Sequence, residues 1–183
     1  MDEIFYKHVL KEIAPEIFHT QFLNYEFTTI LYDLFCEETS WEQGNYNQHT
    51  TTYDIHLNKN YPDLYNLIKE RFDTLIVKVM SDIWTISSEV AIKNIFAVKY
   101  SEETQQSLNE HVDDSYISGS IKLNTNYSGG ALTFPRQSFT NEKVPAGDLI
   151  IWPSQITHPH SSSLLNEGEK YSLTIWTDDK NNS

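Results

Sequence analysis

Residues 100–115 read Tyr100-Ser101-Glu102-Glu103-Thr104-Gln105-Gln106-Ser107-Leu108-Asn109-Glu110-His111-Val112-Asp113-Asp114-Ser115. His111 and Asp113 stand two apart at the mouth of a strand candidate. Alternation along a strand puts residues i and i+2 on one face, so an imidazole and a carboxylate can converge on one ion. Downstream, His158-Pro159-His160 supplies further imidazoles, also beside a strand candidate.

From Ala91 the chain breaks into short apolar runs separated by polar or glycine-rich turns: Ile92 to Tyr100, Ser115 to Asn124, Ala131 to Phe134, Gly147 to Trp152 and Tyr171 to Thr177. This is the pattern of antiparallel strands. Asn126-Tyr127-Ser128-Gly129-Gly130 and Val144-Pro145-Ala146-Gly147-Asp148 are turn signals between them. Upstream, Leu64, Leu67, Ile68, Phe72, Leu75, Val79 and Ile83 follow the three-and-four spacing of one helix face, with Pro62 and Asp63 in the first turn. A shorter helix is expected from Thr28 to Glu38, followed by a polar, turn-rich exit from Ser40 to Gln48. The expected class is α+β: a double-stranded β-helix, or jelly-roll, barrel buttressed by N-terminal helices. The 183 residues fit one domain, with 1–90 mainly helical support and 91–178 the jelly-roll core.

A net charge of −13 disfavours a surface that tracks phosphates, so no nucleic-acid partner is expected. Eleven Tyr, 9 Phe and 4 Trp supply a core that a disordered acidic chain would lack. Cys36, the single cysteine, closes no intrachain disulfide, and its apolar neighbours Ile30 to Phe35 predict a small buried hydrophobe. Asp2 and Glu3 stand where a signal peptide carries positive charge, and no apolar run approaches the roughly 18 residues of a membrane span. The expectation is a soluble cytoplasmic protein with no membrane partner. His8, His19, His49 and His56 are assigned structural or surface roles.

Two His and one carboxylate form a facial triad that leaves three coordination positions open, the ligand set of non-haem Fe(II) oxygenases. Catalytic zinc also suits two His and a carboxylate, although the helical His-Glu-x-x-His arrangement of zinc proteases is absent. At this level either His158 or His160 completes the set.

The stretch from Tyr100 to Ser115 resembles the catalytic domain of procollagen lysyl hydroxylases, within the 2-oxoglutarate and Fe(II) dependent oxygenase superfamily that includes prolyl 4-hydroxylases. The shared pattern is a Tyr eleven residues before the first ligand, a Gln-x-Ser-Leu run and His-x-Asp. It continues through Asp54-Ile55-His56 upstream, and through Leu123-Asn124, Tyr127-Ser128-Gly129-Gly130, Thr157-His158-Pro159-His160 and Gly168-Glu169-Lys170-Tyr171-Ser172-Leu173. Together these cover roughly Thr51 to Asp178. In the superfamily the distal His usually precedes the basic 2-oxoglutarate residue by about ten positions, which is the interval from His160 to Lys170, and lysyl hydroxylases use the second His of Thr-His-x-His. A Pro-Ser-x-x-x-His reading that starts at Pro153 selects His158 instead.

The resemblance implies that His111, Asp113 and His160 hold Fe(II) and are the catalytic set. Lys170, with Ser172 and Tyr100, is then the cofactor-binding group around the far carboxylate of 2-oxoglutarate. A lysine there, in place of the more common arginine, offers a point charge instead of a bidentate fork. Arg136 is a further candidate near cosubstrate or substrate, Trp176 reads as core, and Asp114 as solvated. The implied activity uses O2, with ascorbate as reductant, to hydroxylate an unactivated C–H and release succinate and CO2. The acceptor is a prolyl or lysyl side chain in a peptide or protein, which the acidic balance favours being basic. The alternatives are a free amino acid or other small molecule, or a non-catalytic cupin-like binding module. Leu164 departs from the Pro that relatives often carry after the ligand His.

Overall fold

The computed structural model describes residues 10–47, 50–84 and 90–180. The chain opens with β1 (Lys11–Ala14) and β2 (Ile17–Gln21), a helix over Tyr25–Glu37, and β3 (Glu42–Asn47) with β4 (Thr50–His56). Helices Leu57–Asn60 and Pro62–Phe72 lead through a π-helical stretch, Asp73–Val77, into helix Lys78–Trp84. Then come β5 (Val90–Tyr100), β6 (Leu108–His111), β7 (Ile117–Lys122), β8 (Ser128–Gly129) and β9 (Leu132–Phe134). The last strands are β10 (Phe139–Thr140), β11 (Asp148–Pro153), β12 (His160–Ser162), β13 (Leu165–Glu167) and β14 (Lys170–Asp179).

Eight strands form one antiparallel sheet in the order β1-β2-β11-β7-β14-β5-β4-β3, and a second holds β10-β9-β12-β6. The non-sequential order is that of a jelly roll. Hydrogen bonding among the described residues does not close the two sheets into one barrel, because β8 and β13 pair only with each other.

The large sheet has two different faces, and strand alternation explains both. Ile95 and Ala97 of β5, Leu149 and Ile151 of β11, and Leu173 and Ile175 of β14 share one buried cluster with Leu31, Phe35, Ile68 and Phe72 of the helices. The alternate residues turn inward. Phe96, Val98 and Tyr100 cluster with Leu165, and Ile150 and Trp152 with Ile17 and Phe134. On β14 the inward set is Lys170, Ser172, Thr174 and Trp176, so one strand contributes core on one side and polar chemistry on the other.

Several expectations change. The half expected to be mainly helical also contributes β1 to β4, and the segment read as a turn-rich exit holds β3, whose sequence Glu-Gln-Gly-Asn-Tyr-Asn has no apolar alternation to announce it. The single long helix is interrupted by the π turn, which shifts the buried stripe from Leu75 to Ile76. The short helix begins at Tyr25, capped by the Asn24 side chain, which accepts from the Phe27 amide at 2.8 Å. Cys36 is exposed, contrary to the buried role assigned to it: Thr28, Leu31 and Phe35 are the buried positions of that helix, and Cys36 lies one residue past the stripe.

Candidate active site

His111 ends β6 and His160 begins β12, and the two face each other directly in the antiparallel register. Their rings lie 4.5 Å apart between centroids. Asp113 follows two residues after His111, and its Oδ1 is 3.4 Å from His111 Nε2 and 3.5 Å from His160 Nε2. Each of the three residues offers a ligand atom, and these atoms all lie within 4.8 Å of one another.

Hydrogen bonds on the far side of each ring fix which nitrogen is presented. His111 Nδ1 donates to the Asn109 carbonyl at 2.7 Å and His160 Nδ1 to the His158 carbonyl at 3.0 Å. A carbonyl only accepts, so the proton of each neutral ring sits on Nδ1 and the Nε2 lone pairs point at the shared position. Phe134 and Trp152 pack against the His160 ring at 5.4 and 5.1 Å. Ser118 Oγ donates to Asp113 Oδ2 at 2.6 Å. Burial opposes ionisation of Asp113, but its attraction to the His160 and His111 rings and the hydrogen bond from Ser118 prevail and hold the carboxyl well below its usual range. Burial likewise opposes protonation of His111, yet Asp113 and the Asn109 carbonyl raise its pKa above the ordinary imidazole value. A cation at this position competes with that proton.

His158 takes no part in the cluster. It is buried, with its Nε2 donating to the Pro15 carbonyl at 3.1 Å, and so ties β12 to the β1–β2 turn. Burial lowers its pKa.

The cluster sits at one end of a cavity of about 220 Å³, whose wall also carries Tyr100, Ser162, Lys170 and Ser172. Lys170 and Tyr100 are register partners on β14 and β5, which puts the ammonium 4.4 Å from the centre of the Tyr100 ring. Lys170 Nζ donates to the Gly130 carbonyl at 2.7 Å and to Ser162 Oγ at 3.2 Å. It is 4% exposed, and among the described residues no carboxylate pairs with it. Burial, with a smaller push from the Lys122 ammonium, takes its pKa down to about 7. Burial raises Tyr100 to about 12; a hydrogen bond with Ser162 opposes this rise and the Asp113 charge adds to it. Gly130 itself sits at φ 63°, a left-handed conformation that favours glycine, and a Cβ there would lie 3.2 Å from Leu165 Cδ1.

Ser172 is buried on the same wall. Trp176, read as core from sequence, lines the cavity beside Phe96, which it meets edge-on at 5.2 Å. Asp114 is exposed at the rim and pairs with Lys93 at 3.2 Å. Arg136 is exposed away from the cavity and donates to the Ile156 carbonyl at 3.2 Å. His19 pairs with Asp148 at 2.5 Å and His56 with Asp54 at 3.4 Å, while His8 and His49 lie outside the described residues. Sequence reasoning missed Ser118 and Ser162. The second was within reach, because it stands two residues after His160 on one strand and shares its face.

Residues 95–178 match the family model described as the 2OG-Fe(II) oxygenase superfamily. That stretch is similar to the superfamily. The chain is 26% identical to human procollagen-lysine,2-oxoglutarate 5-dioxygenase 2 over 191 aligned residues, covering 96% of this chain and 25% of that protein. It is 28% identical over 154 residues to a PKHD-type hydroxylase of Prochlorococcus marinus strain MIT 9303, covering 78% of this chain and 68% of the relative. Among solved structures, the viral collagen prolyl hydroxylase of Paramecium Bursaria Chlorella virus-1, in its 2OG complex, superposes with a TM-score of 0.65 at 12% identity. That superposition covers 91% of this chain and 98% of the viral one, and it supports the jelly-roll fold. The chain spans about a quarter of the length of the lysyl hydroxylase relatives it matches. No helix among the described residues is long and apolar enough to cross a membrane.

Proposed function

We propose that this chain is a 2-oxoglutarate- and Fe(II)-dependent dioxygenase that hydroxylates an unactivated C–H of a prolyl or lysyl side chain in a peptide or protein. The observation that carries the reading is the pairing, in one cavity, of a His-Asp-His cluster with a buried lysine that lacks a carboxylate partner among the described residues. A binding module needs neither. The donor set fits Fe(II): two neutral imidazoles present Nε2, and one ionised carboxylate presents Oδ1. His111, Asp113 and His160 would hold the metal, which supplies O2 activation coupled to decarboxylation of 2-oxoglutarate to succinate and CO2.

The chain's own residues then have separate tasks. Lys170 neutralises the far carboxylate of the cosubstrate and recovers, through that contact, the solvation that burial removed. Ser172 and the Tyr100–Ser162 pair line the same end and supply hydroxyls for it. Phe96 and Trp176 form an apolar wall that excludes water beside the metal position. Substrate enters past a rim bearing Asp114 and the exposed Val112. A peptide acceptor is supported by the similarity to procollagen-lysine,2-oxoglutarate 5-dioxygenase 2, whose name gives procollagen lysine as its substrate.

The test is incubation with Fe(II), 2-oxoglutarate, ascorbate and O2, with succinate read by NMR and a peptide library read by mass spectrometry. The wild type should form succinate and add one oxygen to Pro or Lys peptides, and Asp113→Ala should lose both. Failure of the wild type to bind metal under reducing conditions sinks the oxygenase reading. Turnover of free amino acids alone would leave the oxygenase and remove the peptide acceptor.

A further inference from the structure

The carboxylate of Asp113 has two oxygens with different surroundings. Oδ1 faces both imidazole Nε2 atoms, whereas Oδ2 accepts from Ser118 Oγ at 2.6 Å. Ser118 is fully buried and is the second residue of β7, paired on one side with Trp152 of β11 and on the other with Trp176 of β14. Ladders on both flanks fix its backbone, and the hydroxyl is held against Oδ2. We infer that Ser118 is a positioning residue that keeps Asp113 a one-oxygen ligand, and so preserves the coordination position that 2-oxoglutarate needs.

This role rests on the metal-site reading above and on the number of ligands. Two imidazoles and one carboxylate oxygen leave three positions of an octahedral ion open, and a chelating cosubstrate takes two of them. A carboxylate that swings to bind through both oxygens fills one. In a buried site only a competing donor restrains Oδ2, and among the described residues Ser118 is the donor recorded to that oxygen. A hydrogen bond to an ionised acceptor is among the stronger kinds, and groups that orient metal ligands typically change affinity or activity by about 10–100-fold when removed.

The experiment titrates Co(II) into metal-free protein without O2, follows its visible ligand-field absorption, and then titrates 2-oxoglutarate. Ser118→Ala should bind Co(II) no more weakly than wild type, show an altered Co(II) spectrum, and bind 2-oxoglutarate about tenfold more weakly. A merely structural serine would instead lower thermal stability, Co(II) affinity and 2-oxoglutarate affinity together. Ser118→Thr and Ser118→Val have the same shape and differ in the hydroxyl. Thr should restore 2-oxoglutarate binding and Val should not, and this pair decides the matter if the alanine variant does not fold. Equal 2-oxoglutarate affinity in Ser118→Ala and wild type, a parallel loss of Co(II) affinity, or equivalence of Thr and Val overturns the inference. Absence of Co(II) binding by the wild type overturns the metal-centre reading itself, and this inference with it.

Discussion

Replacing Lys170 by Met should make the cosubstrate-free protein more stable while removing 2-oxoglutarate binding. Methionine is unbranched and of similar length, so it fills the space with little strain. The cost of the lysine follows from its pKa, which falls from 10.5 to about 7 on folding. At neutral pH that drop is worth about 4 kcal/mol against the folded state, because the side chain is buried and either loses its proton or remains charged in an apolar wall. Its hydrogen bonds to Gly130 and Ser162 return about 1–2 kcal/mol. The Gly130 carbonyl also keeps a second donor in Ser162 Oγ at 3.2 Å, so the methionine does not leave it unsatisfied. The expected net gain is about 2 kcal/mol, or a rise of about 4–8 °C in Tm. The sign with pH is fixed by linkage. Between about 7 and 10.5 the unfolded chain holds a proton that native Lys170 has lost, so wild-type stability climbs with pH by up to about 1.4 kcal/mol per unit. The advantage of Lys170→Met is therefore full below about pH 7, gone near about pH 9, where the remaining penalty equals the hydrogen bonds that the lysine keeps, and reversed above that. Calorimetry of both proteins from pH 6 to 10 measures it, with circular dichroism to confirm the fold. In parallel, wild-type affinity for 2-oxoglutarate should fall about tenfold from pH 6 to pH 8, as the anchoring ammonium deprotonates with a pKa of about 7. A methionine variant that is less stable at pH 7, or whose stability gap does not change with pH, would refute the reasoning and make Lys170 a satisfied structural cation.

Gly129→Ala should destabilise by about 2 kcal/mol or more, read by urea denaturation, because the glycine sits at φ 76° and a Cβ there would stand 2.1 Å from the Leu164 carbonyl oxygen. Trp176→Ala should raise KM for a peptide acceptor more than it changes peptide-independent decarboxylation of 2-oxoglutarate, since the indole lines the cavity wall beside Phe96, six residues along β14 from Lys170. Glu38 is held at about 2 by the Tyr61 hydroxyl and by Ser40 and Thr39 amides, so it stabilises above about pH 4.5 and loses that effect as pH falls through about 2. Glu38→Gln should flatten the acid limb of a pH-stability curve by at most about 1 kcal/mol, because the pair is partly solvated.

Local pattern made some of this protein legible in advance. Five apolar runs of the second half became β5, β7, β9, β11 and β14, because most of their residues are buried on one face of a sheet or the other, which leaves short apolar runs between polar turns. His111 and Asp113 were readable as neighbours because they lie two apart in one segment. β3 and β6 went unread because they are polar edge strands of their sheets, where no second apolar face writes a pattern. The exposure of Cys36 and the π turn at Asp73–Val77 escaped for a related reason, since both depend on which way a helix is rotated against the sheet.

Local sequence was enough for the strands with continuous apolar runs, the acidic balance, and which residue types are available for metal and carboxylate chemistry. The ten-residue interval to Lys170 already favoured His160 over His158, and sheet packing settled which one turns toward Asp113, through the β12–β6 register and the place of the Pro15 carbonyl, both contacts between segments far apart in the chain. Only the tertiary structure decided that Lys170 is buried against Tyr100 and Gly130, and that Ser118 reaches Asp113. Spacing along the chain fixes which side chains share a strand face; the distances between strands are set when the sheets pack.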